Sequence, residues 1–214
     1  MTIIFNLAQQ GTSEWLAARR GRITASRFAV CRDRTKAGAY SAAARLYAMD
    51  VARERLGGQA AGVYANAAMR FGTEQEPIAR MAYEDRTGHL VETAGVAYPD
   101  DAAFGVSVDG LIDADGVWEC KTLVSSDTLY RTWVERDISA YIDQCNGALW
   151  LLGRKWVDLT LWAPDMPGQM IVIRIDRDDD AIEALESDLL AFNAQVEKYQ
   201  AQISATLPTT SLKD

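Results

Sequence analysis

Asp109, Glu119 and Lys121 lie in the stretch SVDGLIDADGVWECKT, residues 107–122. Two carboxylates and an ammonium here need a reason. Strand interiors normally exclude Asp, Glu and Lys, and buried charges are costly unless paired or bound to a metal. Side chains alternate across a strand, so Glu119 and Lys121 share one face while Trp118 and Cys120 share the other. The turn-forming DADG, residues 113–116, folds the segment into a hairpin that returns Asp109 to the side of Glu119 and Lys121. Two readings of that convergence stand open. A salt-bridge cluster at a sheet edge accounts for Glu119 and Lys121, but not for Asp109 beside a glycine where the strand breaks. The other is a divalent-cation site. Mg²⁺ takes hard oxygen ligands, often one or two carboxylates with waters and a substrate phosphate. A neighbouring lysine can orient or deprotonate a bound water, or offset charge on the phosphate.

The elements that must position these groups follow from pattern. Residues 11–31 predict a short helix stopped at Gly21 and a second helix capped by Thr24 or Ser26. Residues 41–58 predict a helix closed by Gly57 and Gly58, and residues 66–89 another, with Pro77 as its kink or start. Residues 90–99 predict a strand, followed by the hairpin, a helix over 137–153, and strands over 156–164 and 169–176. A long C-terminal helix is predicted by Ile182, Leu185, Leu189, Phe192, Val196 and Tyr199, which step by three and four. Helices, then a mostly antiparallel strand block interrupted by a helix, then a helix, give an α/β (α+β) fold with a central mixed β-sheet flanked by helices. No repeat or linker divides the 214 residues, so one domain over 1–214 is expected.

Bulk properties narrow the function classes. No apolar run approaches a membrane span, and the start resembles no signal peptide. The three widely spaced cysteines, Cys31, Cys120 and Cys145, suggest free thiols in a cytoplasmic protein, with neither a disulfide framework nor a zinc or iron–sulfur site. Net charge is −8, which alone argues against a nucleic-acid partner, yet the charge is polarised. Residues 17–36 hold seven basic residues against Asp33, and residues 176–190 hold seven acids against Arg177. Such a chain can hold an anion on one face and repel it elsewhere. Two solvated helix faces are the plainer reading.

Asp-x₉-Glu-x-Lys is the spacing of the PD-(D/E)xK nucleases, with SVD here in place of SPD. In combination, SEWLAARRGRITASRF, FGTEQEPIARMAYEDRTG, SVDGLID with WECKT, and YIDQCNGALWLLG resemble the bacteriophage lambda exonuclease family of viral recombination nucleases. The resemblance covers roughly residues 13–162. It implies a restriction-endonuclease-like core and a Mg²⁺-dependent 5′→3′ exonuclease. Such an enzyme degrades one strand of double-stranded DNA from its ends, releases mononucleotides and leaves 3′ overhangs. It also implies Asp109, Glu119, the backbone carbonyl of Cys120 and Glu76 as metal ligands for two Mg²⁺, with Mn²⁺ able to substitute. Lys121 would be the catalytic lysine, and Gln144 and Tyr141 would orient the water, Lys121 or the phosphate. Arg19 and Ser26 would bind the DNA 5′-phosphate. A homotrimeric ring, a single-strand annealing protein as partner, and a phage or prophage origin complete the expectation. In such a ring, 17–36 would line the channel while 176–190 faces outward or a neighbouring subunit.

Alternatives remain at the level of residues and of function. Glu76 could pair with Arg80 one turn on, Tyr141 and Gln144 could be an ordinary capped or core-facing pair, and Ser26 could be only a helix cap. Asp113 and Asp115 read as turn residues, and His89, after Gly88, as a helix-end residue. An endonuclease or RecB-like nuclease of the same fold is one rival function. A non-catalytic DNA-end-binding module is another.

Overall fold

The computed structural model describes residues 3–8, 10–59, 67–99 and 103–207. Its strands form two four-stranded mixed sheets. The first has the order β1 (Ile3–Asn6), β3 (Val96–Pro99), β4 (Phe104–Ser107), β2 (Ile23–Thr24), with only β2 and β4 parallel. The second has the order β5 (Gly110–Ile112), β6 (Gly116–Thr122), β7 (Trp156–Trp162), β8 (Met170–Asp176). Here β6 and β7 are parallel and the other pairs antiparallel. Ahead of β3, Glu92 exchanges backbone hydrogen bonds of 2.8 Å with Leu111 of β5.

The expected first hairpin strand is therefore split. The chain leaves one sheet after Ser107 and enters the other at Gly110, so Asp109 stands in the break. Gly110 is required there, because a Cβ would collide with Val91. The strand expected over 90–99 is shorter than predicted, and β1 and β2 carried no strand signal because each is too short for alternation to show.

Helices cover both faces of β7, which is why it reads as a near-continuous buried run. On one face lies α4 (Ala67–Thr87), with Ala79 and Tyr83 fully buried against Trp118 and Trp162. Pro77 lies inside this helix and does not start it; Asn66, the expected first residue, lies outside the described residues. On the other face lie α6 (Ser139–Leu152), closed by Gly153 in the left-handed region, and α7 (Asp179–Ser204), capped by Asp178. The helix α3 (Ala42–Arg55) buries Ala44, Ala48 and Ala52, small side chains that let it lie close to the Leu185, Leu189 and Phe192 stripe of α7. Between β6 and α6 the chain forms α5 (Ser126–Leu129) and a π-helical turn over Tyr130–Val134.

Near the N-terminus, α1 (Ser13–Arg19) is capped by Thr12 and ends before Gly21, whose φ of 72° suits glycine. Neither Thr24 nor Ser26 caps the helix α2 (Phe28–Arg32); a 3₁₀ turn over Ala25–Arg27 intervenes and no side chain caps either element. The basic stretch and the acidic segment also touch at Arg32. Arg32 donates to Asp188 at 2.8 Å and to Asp143 at 2.6 Å, pinning α2 to α7 and α6 within one molecule.

Candidate active site

The alternation of β6 places Val117, Glu119, Lys121 and Leu123 toward α6, and Trp118 and Cys120 toward α4. Glu119 is 3% exposed, a burial that a carboxylate tolerates only with partners. It has two. Lys121 Nζ donates to Glu119 Oε1 at 2.8 Å, and Gln144 Nε2 donates to the same oxygen at 2.5 Å. Lys121 Nζ also donates to Gln144 Oε1 at 3.0 Å, closing a three-membered ring of side chains, and lies 5.7 Å from the Tyr141 ring centroid. Gln144 is thus bonded to the β6 charges, while Tyr141, one turn before it on α6, packs against the core beside the ammonium.

Asp109 approaches from the break between the sheets. Beyond Trp118, β6 has β7 on one side and no strand partner on the other among the described residues. Asp109 Oδ2 fills that side by accepting the Cys120 N–H at 2.8 Å. N–H and C=O of a strand residue point to the same side, so the Cys120 carbonyl faces the Asp109 side too. The cluster thus lies where β6, an inner strand up to Trp118, becomes a local sheet edge covered by Asp109.

Glu76 arrives on α4. Its expected partner Arg80 instead bonds Glu84 at 3.3 Å. Burial first, then the charge of Glu119, raises the Glu76 pKa, against the pull of Arg80 and Lys121. Burial, then Glu119 and Glu76, pushes Asp109 well above the ordinary aspartate range. For Lys121, burial opposes the charge, but Glu119 and Asp109 together outweigh it and hold the ammonium more firmly than usual. Burial likewise pushes the Cys145 thiol up to about 12, which leaves it an inert neighbour. Asp109, Glu119 and Glu76 are therefore close enough to perturb one another, with Lys121 bonded to Glu119 among them.

The donor set suits a hard divalent cation in kind: oxygens only, from crowded carboxyls. As arranged, Glu119 is turned to Lys121 and Gln144, and among the described residues no three Asp, Glu, His or Cys side chains stand ready to hold an ion. Both bonds fall on Oε1, which leaves Glu119 Oε2 as the oxygen to meet a cation.

Arg19 and Ser26 form a second centre. Arg19 Nη2 donates to Thr24 Oγ1 at 3.3 Å and Ser26 Oγ at 3.4 Å, and its guanidinium lies 4.3 Å from the Trp15 ring. Burial lowers the Arg19 pKa, with Tyr47 and Glu54 partly offsetting it, and no ion pair neutralises it among the described residues. A half-buried guanidinium bonded only to hydroxyls is a ready anion site. Sequence reasoning missed Thr24 as a partner, and Trp15 as the link between the centres. Trp15 Nε1 donates to Ser107 Oγ at 3.2 Å, two residues before Asp109. The indole–arginine spacing of four on α1 was the available signal. His89 stays apart, packed on Trp156 with its Nδ1 3.7 Å from Asp113, so the helix-end reading holds. Asp113 takes a φ of 47° in the turn, and Asp115 pairs with Lys155.

The three thiols are free, and no helix among the described residues is long and apolar enough to cross a membrane. No curated protein matches the chain. A solved alkaline exonuclease (LHK-Exo) from Laribacter hongkongensis is 34% identical, with a TM-score of 0.78 covering 92% of this chain and 100% of that one. The same protein in complex with dAMP gives a TM-score of 0.79 at the same identity and coverage. A phage related exonuclease from Haemophilus somnus 129PT shares the fold, with a TM-score of 0.67 at 15% identity, covering 87% of this chain and 96% of that one. Residues 14–155, which run from the Arg19 centre through the whole acidic cluster, match the YqaJ-like viral recombinase domain, and the chain belongs to that family.

Proposed function

We propose that the chain is a metal-dependent exonuclease that degrades one strand of duplex DNA from its 5′ ends, releasing mononucleotides and leaving 3′ single-stranded overhangs for recombination. The observation that carries this reading is the crowding of three carboxyls, Asp109, Glu119 and Glu76, in one buried place where, among the described residues, the Lys121 ammonium is the only cation bonded to any of them. Burial and mutual repulsion push Asp109 and Glu76 toward the neutral form, a cost that a bound cation would relieve. Asp109, Glu119, the Cys120 carbonyl and Glu76 would hold Mg²⁺, two ions per site, with Mn²⁺ able to substitute. Bound there, such ions stabilise charge on the attacking and leaving oxygens of an in-line displacement.

The rest of the work falls to the chain's own residues. Lys121, kept as an ammonium, donates to a phosphoryl oxygen or holds the attacking water. Gln144 sets the Lys121 and Glu119 orientations at once, since it bonds both. Tyr141 shields the ammonium from solvent on the α6 side. Arg19, Ser26 and Thr24 take the terminal 5′-phosphate, and the Trp15–Ser107 bond keeps that pocket in register with Asp109. The name of the 34% identical relative, an alkaline exonuclease, and its complex with a mononucleotide support this reading.

The test is digestion of linear duplex DNA with 5′-phosphate or 5′-hydroxyl ends, in Mg²⁺, Mn²⁺ or EDTA. Mononucleotides should appear only with metal and faster from phosphorylated ends. Digestion from 3′ ends, or in EDTA, would overturn the reading. Cutting of closed circles would favour an endonuclease or RecB-like activity, and end binding without release a non-catalytic module. From the resemblance to the lambda exonuclease family, the assembly we propose is a homotrimer threaded by DNA; a closed ring would let a chain of net charge −8 keep a polyanion without tight contact. Light scattering should give three copies of the 23.6 kDa chain, about 71 kDa; a processive monomer would exclude the ring. A single-strand annealing protein is the proposed partner for the overhang, in the cytoplasm of a bacterial host carrying the phage or prophage.

A further inference from the structure

Glu76 reaches the acidic cluster without a bond of its own: among the described residues no hydrogen bond or ion pair holds its carboxylate. Its place is set by the register of α4 against β7. Two hydrogen bonds fix that register. Trp162 Nε1 donates to Gln75 Oε1 at 3.1 Å, and the Tyr83 hydroxyl donates to Asp158 Oδ2 at 2.5 Å. The spacings match. Eight helical residues from Gln75 to Tyr83 rise about 12 Å, and four strand residues from Asp158 to Trp162 span about 13 Å. The helix and strand therefore run antiparallel with no slack between the two ties.

Everything between and beyond the ties supports them. Ala79, fully buried midway, lets the helix lie directly on the strand. Asp158 is itself fixed by two 2.8 Å bonds from Arg174, and Arg86 Nη1 ties the last turn of α4 to Met170 O at 2.9 Å. Trp162 pairs in register with Thr122, so Gln75 sits at the Lys121 end of β6 and Glu76 follows it there. We infer that Gln75–Trp162 and Tyr83–Asp158 form a two-point clamp that sets the depth of Glu76 in the metal-holding cluster, making Trp162 and Tyr83 positioning residues. The inference rests on the reading of Glu76 as a metal-holding carboxylate.

Trp162→Phe and Tyr83→Phe each remove one donor and keep a ring in place; Asp158 retains Arg174. The comparison variant is Val196→Ala, on the buried stripe of α7 away from both ties. Three quantities are read: Mn²⁺ affinity by calorimetry without DNA, the Mg²⁺ concentration for half-maximal nucleotide release, and the melting midpoint. Each Phe variant should weaken Mn²⁺ binding on the order of 10-fold and raise the Mg²⁺ midpoint to match. Val196→Ala should move only the melting midpoint. Wild-type Mn²⁺ affinity in both Phe variants, or an equal loss in Val196→Ala, would overturn the clamp. Glu76→Gln separates the two levels. If it leaves Mn²⁺ affinity unchanged, the reading of Glu76 fails; if it weakens binding while the Phe variants do not, the clamp alone fails.

Discussion

Two buried carboxylates on neighbouring strands have opposite surroundings. Asp158 on β7 receives two hydrogen bonds from Arg174 and one from Tyr83, one anion against one cation with every partner in place. Glu119 on β6 also has one cation and one neutral donor, Lys121 and Gln144, but Asp109 and Glu76 add two further carboxyls, and the other cation near Glu76, Arg80, is paired to Glu84 instead. The first cluster is closed and holds helix to sheet. The second crowds three carboxyls together, which pushes Asp109 and Glu76 toward the neutral form, and such perturbation marks a place where a cation or a reaction completes the balance. Similar hydrogen bonds therefore mean different things, and the count of carboxyls separates them.

The largest expected effect is on the open cluster. Lys121→Ala should lower nucleotide release on the order of 10³-fold, the scale for removing a charge-stabilising donor, while Mn²⁺ and DNA binding persist. Near-wild-type turnover would show that the ammonium is only a structural counterion, like Arg174. In the closed cluster the response should be the reverse. Asp158→Ala should cost about 2–3 kcal/mol of unfolding free energy, toward the lower end for a broken buried pair because the Arg174 side chain is 44% exposed. An unchanged denaturation midpoint would erase the distinction between the clusters.

Arg19 offers a smaller contrast, since its partners are neutral hydroxyls. Arg19→Ala should reduce the preference for 5′-phosphorylated over 5′-hydroxyl ends by about 1.5–3 kcal/mol, the worth of a charge-assisted bond. Competition between the two ends, at fixed salt, measures it; equal loss of rate on both would place Arg19 outside end recognition.

The smallest effect is on stability against pH without metal. A carboxyl whose folded pKa lies above its unfolded value, near 4, adds stability below that value and loses it as pH rises through the folded one. Asp109 and Glu76 are both raised, so they make the metal-free protein progressively less stable from about pH 4 upward. Asp109→Asn should flatten that decline in EDTA, and Mg²⁺ should flatten it in the wild type. Parallel melting curves for wild type and variant across pH 4–8 would show that the carboxylates do not couple.

Much of this was legible before any fold was known. Alternation alone put Glu119 and Lys121 on one face of β6, and DADG folded Asp109 back toward them, because both are rules of local geometry. The stepping of Ile182 through Val196 marked α7 for the same reason. What the sequence could not settle were choices among equally local partners. Arg80 is one turn from both Glu76 and Glu84 and takes Glu84; Ser26 is a good cap by type and instead serves Arg19. Arg32 reaches Asp143 and Asp188, 111 and 156 residues away, and so joins the basic stretch to the acidic one. Periodicity assigns a residue to a face, because backbone geometry repeats every two or 3.6 residues. Only packing decides which groups meet across faces, because helix register, strand breaks and the desolvation of charge are set by contacts between distant segments. The sequence alone therefore determined the carboxylate–lysine strand; tertiary structure gathered Glu76, Gln144 and Tyr141 around it and crowded its carboxyls together.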